Sequence, residues 1–250
     1  FFLDLQGTSE KPLTPREAMA RVVRAYYPDK KLPDDEAEVR GLYYSVLEGK
    51  RALLLMDNAK DAAQVEPLRP PATCALVVTT RHKFTLSGLA PVDLDALPPE
   101  DARKLLLKIA PRLKTPKVSE TFGVWVDEIA KLCGYLPLAL RASASLLAIT
   151  DDLDPADYAA QLRGERARLE LTGTKAEGIE ISVEASFNLS FARLGPETAR
   201  VFCKLAAFPA DFDASAEEVI CEDEGHKHLS ELVRRSLALF DAEKKRYHLH

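Results

Sequence analysis

The sequence lacks long hydrophobic runs and a leader-like beginning. Its charge-free segments, such as Ala142 to Thr150 between Arg141 and Asp151, are far shorter than the ~20 apolar residues that a membrane-spanning helix needs. The apolar start, Phe1 to Leu3, meets Asp4 at once and has no basic region before it, unlike a secretory signal peptide. We therefore expect no contact with a membrane and a cytoplasmic location.

Paired cysteines and an excess of positive charge are also missing. The cysteines are widely spaced singles without a C-x-x-C pair, at Cys74, Cys133, Cys203 and Cys221. They fit buried thiols in a reducing compartment better than disulfides or zinc ligands. The formal net charge is −5, so no general electrostatic attraction to nucleic acid or anionic lipid is expected.

Length and composition predict a globular chain with more than one core. With 250 residues, 46% hydrophobic and 29% charged, the sequence is too apolar for disorder and long enough for one large domain or two to three small ones. The chain begins at Phe1 within a strand-like run and ends at His250 within another. We therefore expect a segment of a longer protein.

Residues 1–96 alternate short apolar runs with helical segments. The runs, which we expect to be strands buried on both faces, are Phe1 to Leu5, Ala52 to Met56, Ala75 to Thr80 and Val92 to Leu94. Between the first two runs, a capping box at Thr14 to Glu17 and a pattern from Asp35 to about Leu47 predict two helices. This alternation predicts an open, mainly parallel sheet.

The regions that follow are predicted to be mainly helical. Residues 97–172 carry helical patterns that begin near Pro99, Ser119 and Pro137, and a linker is expected within Arg163 to Gly178. Residues 173–250 combine helices with two short strand-like pieces, which predicts a winged-helix domain. Those pieces are Ala238 to Phe240 and Arg246 to His250. The predicted fold class is α/β plus α: the sheet domain, a small helical domain and a winged-helix domain.

Asp57 is the first candidate for chemistry. It follows the apolar run Ala52 to Met56, at the expected carboxyl end of a strand. Ligands of open α/β sheets bind at that edge, and an acid there holds Mg²⁺ against nucleotide phosphates in P-loop ATPases. Taken alone, a helix-capping or turn role for Asp57 explains the residue more simply.

Two further segments also have a local explanation. Thr79, Thr80 and Arg81 end the next predicted strand, and the guanidinium is suited to phosphate oxygens, although a surface arginine at a strand exit is the simpler explanation. Pro137 follows Gly134 at the start of a helix, where proline is locally favoured. The same position also presents a rigid apolar surface to which an adenine can stack.

Together and in this order, these segments resemble the NB-ARC family of signal-transduction ATPases. The family belongs to the STAND class, which includes apoptotic-protease activators, plant resistance proteins and bacterial regulators. Phe1 to Gly7 is similar to the strand after the P-loop helix, the Asp57 segment to the Walker B strand, and Thr79 to Arg81 to the first sensor. Tyr135 to Leu138 resembles the GLPL motif, and Tyr247 to His250 the approach to the MHD motif. The resemblance covers nearly the whole chain.

The resemblance implies an ADP/ATP switch. It implies three parts: an incomplete P-loop NTPase-like nucleotide domain at 1–96, an ARC-like helical domain at 97–172 and a winged helix at 173–250. They would enclose ADP in a closed monomer that opens and self-associates when ATP replaces ADP, with effector or repeat domains on either side. By the same resemblance, Asp57 positions Mg²⁺, Arg81 senses the γ-phosphate, Pro137 contacts adenine and His250 touches the β-phosphate of ADP. Thr80, in the same sensor segment as Arg81, is also expected to bind the nucleotide.

The sequence departs from the family pattern in three ways. No G-x-x-x-x-G-K-[ST] phosphate loop occurs in the 250 residues, so we expect it some ~20–40 residues before Phe1 in the native protein. Asn58 stands where a second acid is often found, and an amide cannot act as a general base. Tyr135 occupies the first position of GLPL. Whether the chain is an enzyme stays open, and at most a slow ATPase is expected.

Other functions compete with the switch. A winged helix suggests a DNA-binding transcription regulator, with Lys227, His228, Arg234 and Arg235 on its third helix, but residues 173–250 contain ten Lys and Arg against fourteen Asp and Glu. An adaptor with a vestigial nucleotide site is a further alternative.

Histidine pairs suggest metal ligands, yet no acid or thiol has clear spacing to complete a site. These pairs are His226 with His228 and His248 with His250.

Overall fold

The computed structural model describes residues 1–114, 119–171 and 179–249. His250 lies outside the described residues, as do residues 172–178, where the second predicted domain boundary falls. The chain divides into two units, Phe1–Asp93 and Leu94–His250. The mixed α/β and α character expected from the sequence is present, whereas the three-domain division stays a prediction.

The first unit is built on parallel strands. Its elements in chain order are β1 (Phe2–Asp4), α1 (Pro15–Tyr26), α2 (Glu36–Leu47), β2 (Leu53–Ala59), α3 (Ala62–Val65) and β3 (Ala75–Thr80). The strand order is β1-β2-β3, and β2 pairs in parallel with both neighbours. Since the strands run the same way, their carboxyl ends lie at one edge of the sheet.

The two predicted helices of this unit begin as the sequence indicates. The Thr14 hydroxyl accepts from the Glu17 amide at 3.2 Å, and the Glu17 carboxylate accepts from the Thr14 amide at 2.9 Å. Pro15 occupies the first helical position, where no amide is needed. Asp35 caps α2 by accepting from the Glu38 amide at 3.0 Å. The capping box and the second helix are therefore confirmed.

The sheet is buried on one face, which makes the expectation of two buried faces wrong for these residues. Leu3, Leu54 and Met56 pack into a core with α1 and α2, whereas Phe2 and Val77 on the other face are exposed by 66% and 47%. The difference arises because the described helices of this unit build their core against only one side. Burial therefore alternates along each strand.

The fourth predicted strand, Val92 to Leu94, is wrong. These residues form no strand, and Val92 and Leu94 are exposed by 80% and 94%. The run Val92 to Leu94 is too short to pair stably with a neighbouring strand, and the preceding Pro91 has no amide to donate a hydrogen bond. Asp93 instead pairs with Lys83 at 3.0 Å on the surface.

The second unit is helical and ends in a hairpin. Its helices are α4 (Pro99–Ile109), α5 (Ser119–Leu132), α6 (Pro137–Ile149), α7 (Pro155–Leu171), α8 (Ile179–Phe191), α9 (Pro196–Lys204), α10 (Ala214–Cys221) and α11 (Lys227–Arg234). The antiparallel strands β4 (Ala238–Asp241) and β5 (Arg246–Leu249) follow, with Ala238 opposite Leu249. The predicted hairpin is confirmed, whereas α7 and α10 were not expected from the sequence.

Two cores occupy this unit, and α8 contributes to both. Leu106, Ile129 and Leu140 belong to the core built by α4 to α8, while Val201 and Leu232 belong to the core built by α9 to β5. Ile181 and Ala185 of α8 lie in the first core, and Phe187 of the same helix packs against the second. The two groups of helices are therefore joined through one shared helix.

A linker is expected within Arg163 to Gly178, and the first part of this segment is helical because α7 continues to Leu171. Residues 172–178 lie outside the described residues. Glu165 pairs with Arg168 at 2.6 Å and accepts from the Asn188 side-chain amide of α8 at 2.9 Å. Leu169 is buried. Charge and glycine content indicated a linker, but one helical glycine costs only about 1 kcal/mol, which such tertiary contacts offset.

Candidate functional site

The carboxyl edge of the sheet gathers polar side chains from all three strands. Asp4 and Asp57 are register partners on β1 and β2, and Thr79, Thr80 and Arg81 end β3 or follow it. Together with Asn58 these residues line a shallow depression of about 260 Å³. The structure therefore brings together Asp57, Thr80 and Arg81, the predicted site residues of the first unit.

A β-bulge shapes this edge. Met56 pairs with Val78 and Ala59 pairs with Thr80, so Asp57 and Asn58 lie opposite the single residue Thr79. Asn58 adopts a left-handed backbone with φ of 54°, which asparagine tolerates better than most residues. Bulges re-aim side chains where a strand ends, and this one places two consecutive polar residues at the same edge.

The Thr79 hydroxyl connects the two residues of the bulge. It donates to Asp57 Oδ1 at 2.5 Å and accepts from the Asn58 amide at 2.9 Å. No hydrogen bond to Asp57 Oδ2 occurs within the described parts of the chain. One carboxylate oxygen is thus held by the protein, and the other remains available at the depression.

The loop after β1 packs closely against the bulge. The Gly7 amide donates to the Asn58 carbonyl at 2.7 Å, and a Cβ at Gly7 would lie 2.4 Å from that carbonyl oxygen and 2.4 Å from the Lys60 nitrogen. Asn58 Nδ2 donates to Thr8 Oγ1 at 3.2 Å, whereas its buried Oδ1 has no partner among the described residues. Only glycine fits this close approach.

Thr80 and Arg81 have different environments. The Thr80 hydroxyl donates to the Ala59 carbonyl at 2.9 Å and accepts from the His82 amide at 3.0 Å, so it fixes the turn that carries Arg81. Arg81 is exposed at the depression. Within the described ranges, no ion pair or hydrogen bond engages its guanidinium. The guanidinium is free to meet an anion.

The other two predicted site residues do not belong to the first unit. Pro137 begins α6 in the second unit, after Gly134 and Tyr135 with φ of 62° and 57°, and its ring is exposed. His250 lies outside the described residues. Neither proposed nucleotide contact is tested by the geometry of the first unit.

Two of the four histidines considered as metal ligands, His226 and His228, have protein partners. His226 Nδ1 lies 2.9 Å from Glu217 Oε2, and this hydrogen bond raises the pKa of His226. Burial raises the pKa of Glu217, because desolvation disfavours its charged form more than His226 favours it. His228 Nδ1 lies 2.8 Å from Thr198 Oγ1. Across residues 1–114, 119–171 and 179–249, no group of three or more His, Cys, Asp or Glu side chains is arranged to hold a metal.

Sequence reasoning missed two residues of this edge. Asp4 follows an apolar run just as Asp57 does, so the same rule would have found it. Gly7 had no such signal, because its close approach is to residues some fifty positions along the chain.

Among the helices that the structure describes, none is long and apolar enough to cross a membrane.

Comparisons with known proteins agree with the motifs. No family model matches the chain. It is 37% identical over 262 aligned residues to Regulatory protein AfsR of Streptomyces coelicolor, which covers 100% of this chain and 25% of the relative. AfsR of Streptomyces griseus is 36% identical over 80% of this chain and 20% of its own length. Disease resistance RPP8-like protein 3 of Arabidopsis thaliana is 25% identical over 82% of this chain and 25% of its own length.

The chain thus spans about a quarter of the length of the curated relatives it matches. A bacterial regulator and a plant resistance protein are the two kinds of relative that the motifs indicate, and the match to the first extends over the whole chain. The chain is an NB-ARC-like segment.

Proposed function

We propose that this chain is the switch region of an ADP/ATP-dependent signal-transduction protein. In this proposal ADP holds a closed monomer, and exchange for ATP opens it and drives self-association. The observation that carries the proposal is the convergence of Asp57, Thr80 and Arg81 at the carboxyl edge of a parallel sheet, the usual ligand position of such sheets. Similarity to a regulator over the whole chain supports a signalling role.

The residues at this edge suit a magnesium–nucleotide complex. Mg²⁺ prefers oxygen ligands and is commonly bound by one or two carboxylates together with substrate phosphates. The edge offers the carboxylates of Asp4 and Asp57. When bound, the ion would neutralise phosphate charge, and Asp57 would hold it through its free Oδ2.

Arg81 is suited to distinguish ATP from ADP. Its exposed guanidinium has no carboxylate partner in the described parts of the chain, and a phosphate can accept two parallel hydrogen bonds from it. In the proposal it meets the γ-phosphate, which only ATP has. Asn58 supplies no general base, so the chain holds ATP rather than turning it over rapidly.

The remaining contacts in this proposal come from other segments. A phosphate loop outside these 250 residues would cradle the phosphates, since helix N-termini and glycine-rich loops supply the amides that bind them. Pro137 would contact the adenine and His250 the β-phosphate of ADP. Flanking effector or repeat domains would receive the opened state; the relatives are about four times as long as the aligned segment.

The last part of the chain fits a winged helix that acts within the protein rather than on DNA. In this proposal α9 to α11 form the helical part and β4–β5 the wing. Two of the four groups that suggested a DNA surface are engaged internally: Arg235 pairs with Glu231 at 2.9 Å, and His228 contacts Thr198. The excess of acidic residues in this region also disfavours DNA.

The proposal is tested by the oligomeric state of the full-length protein. Light scattering is measured with Mg²⁺-ATP and with ADP, for wild type and for Asp57→Ala. Wild type is expected to assemble with ATP and stay monomeric with ADP, and Asp57→Ala to stay monomeric with both. Nucleotide-independent mass in wild type contradicts the switch and favours the adaptor. Retention of duplex DNA at about 150 mM salt would favour the transcription regulator.

A further inference from the structure

The hydroxyl of Thr79 lies between Asp57 and Asn58 and hydrogen-bonds to both residues. Neither the motifs nor the comparisons assign a role to these contacts. Resting on the proposed function, we propose that Thr79 is a positioning residue, which holds the Asp57 carboxylate in the orientation that binds a magnesium–nucleotide complex. The proposal concerns the bulge formed by Asp57 and Asn58 opposite Thr79. It rests on two hydrogen bonds, to Asp57 Oδ1 and from the Asn58 amide.

The direction of the hydroxyl follows from its partners. A threonine hydroxyl has one proton to donate and lone pairs to accept with. The Asn58 amide can only donate, so the hydroxyl accepts there at 2.9 Å and its proton is left for Asp57 Oδ1. The backbone thereby orients the hydroxyl, and the hydroxyl orients the carboxylate. Asp57 Oδ2, which has no hydrogen-bond partner in the described ranges, is directed to a ligand.

The bulge makes this chain of contacts possible. In a regular parallel pairing, Asp57 and Asn58 would lie opposite different residues and on opposite faces of the sheet. The register shift between Met56 and Ala59 instead places both against Thr79. The neighbouring Thr80 cannot substitute, because its hydroxyl is engaged by the Ala59 carbonyl and the His82 amide.

Valine and serine separate the hydroxyl from the bulk of the side chain. Valine has the shape of threonine and an equally good strand propensity, so Thr79→Val removes the hydroxyl with little change in packing. Thr79→Ser keeps the hydroxyl and removes the methyl group. Val77→Thr is the matched control, because Val77 is an exposed residue of the same strand and the same face, two positions before Thr79.

The experiment measures equilibrium nucleotide binding by the full-length protein, with ATP at varied Mg²⁺ and with ADP in EDTA. Thr79→Val should need about tenfold more Mg²⁺ for half-maximal ATP binding, as expected for a lost hydrogen bond to a charged group. Its affinity for Mg²⁺-free ADP should equal that of wild type. Thr79→Ser and Val77→Thr should both show the wild-type Mg²⁺ dependence.

Three outcomes overturn the inference. Wild-type Mg²⁺ dependence in Thr79→Val does so, as does an equal loss in Thr79→Ser, which would assign the effect to packing of the methyl group. An equal loss for Mg²⁺-ATP and Mg²⁺-free ADP indicates general damage to the sheet edge. Asp57→Asn in the same assay separates the two proposals: if it leaves the Mg²⁺ dependence unchanged, the proposed function itself fails. If Asp57→Asn responds and Thr79→Val does not, only the positioning role fails.

Discussion

The sheet edge of the first unit and the helical interior of the second unit use polar side chains in opposite ways. In the first unit, Asp57 and Arg81 lie at an accessible sheet edge with donors and acceptors left over. In the second unit, polar groups are buried and bonded to each other: the Tyr158 hydroxyl donates to Ser143 at 2.8 Å, and Ser143 contacts Ser186 at 3.3 Å. The first arrangement has unused capacity to bind a ligand, and the second holds helices together.

Cys133 illustrates the difference. Its thiol lies 3.2 Å from the Ser143 hydroxyl in the interior of the helical unit. Burial raises the pKa of Cys133 to about 11, because the thiolate is disfavoured away from water. The thiol therefore stays protonated and unreactive at neutral pH, as a structural group does.

The largest expected effect disrupts the carboxyl edge of the sheet in the first unit. Gly7→Ala should lower the free energy of unfolding by about 3 kcal/mol, because its Cβ would lie within 2.6 Å of three backbone atoms that cannot move aside cheaply. Urea unfolding measures the loss. The matched control is Gly41→Ala in α2, where a Cβ meets nothing within 4 Å. It should stabilise the chain by about 0.5–1 kcal/mol. Similar losses in both variants would show that the loop does not approach the bulge closely.

The next effect concerns the buried pair of the second unit and depends on pH. Glu217 is fully buried, and its partner His226 also lies 3.9 Å from Glu218. Asp223, the other nearby acid, accepts from the His228 and Leu229 amides. His226→Ala should cost about 2 kcal/mol at pH 6, since it leaves the Glu217 carboxyl buried without its charged partner.

The sign of the pH dependence follows from the raised pKa values. The native state holds the His226 proton above the ordinary value of 6.5, and the Glu217 proton above 4.5, so it binds more protons than the unfolded state. The stability due to His226 is therefore complete below about pH 6.5 and is lost as the pH rises through its native pKa. Between about pH 6 and 8 wild type should lose stability, while the double variant Glu217→Gln/His226→Ala, which retains neither group with a raised pKa, should stay flat. His82→Ala, at an exposed histidine of the first unit, should retain the wild-type slope. A wild-type slope in the double variant would contradict the assignment.

The smallest effect compares one buried tyrosine hydroxyl in each unit. Tyr43 donates to the Leu68 carbonyl at 2.6 Å, whereas Tyr158 donates to Ser143, which has other partners. Tyr43→Phe should cost about 1–2 kcal/mol because it leaves a buried carbonyl unpaired, and Tyr158→Phe under about 1 kcal/mol. Differential scanning calorimetry measures both. A larger loss in Tyr158→Phe would mean that the buried hydroxyl network is a stronger constraint than its redundancy suggests.

How much of this could be predicted from the sequence depends on the range of the interaction. Local features could be predicted, because each depends on residues that are close together in the sequence. They are the Thr14 capping box, the aspartate and asparagine at the end of β2, and the β4–β5 hairpin. The bulge was not, since a register shift depends on pairing between β2 and β3. The Gly7 contact and helix α7 were missed for the same reason: their partners lie far along the chain.

The central claim is that the sheet edge distinguishes ATP from ADP, and Arg81 tests it most directly. Calorimetry on the full-length protein gives the affinities for Mg²⁺-ATP and ADP in wild type, in Arg81→Ala and in Lys83→Ala, whose lysine pairs with Asp93. We expect Arg81→Ala to lower the affinity for Mg²⁺-ATP about tenfold and to leave the affinity for ADP unchanged, because only ATP would lose a charge-assisted hydrogen bond to its γ-phosphate. Lys83→Ala should preserve both affinities. Equal losses of ATP and ADP in Arg81→Ala, or no loss of either, would contradict the account.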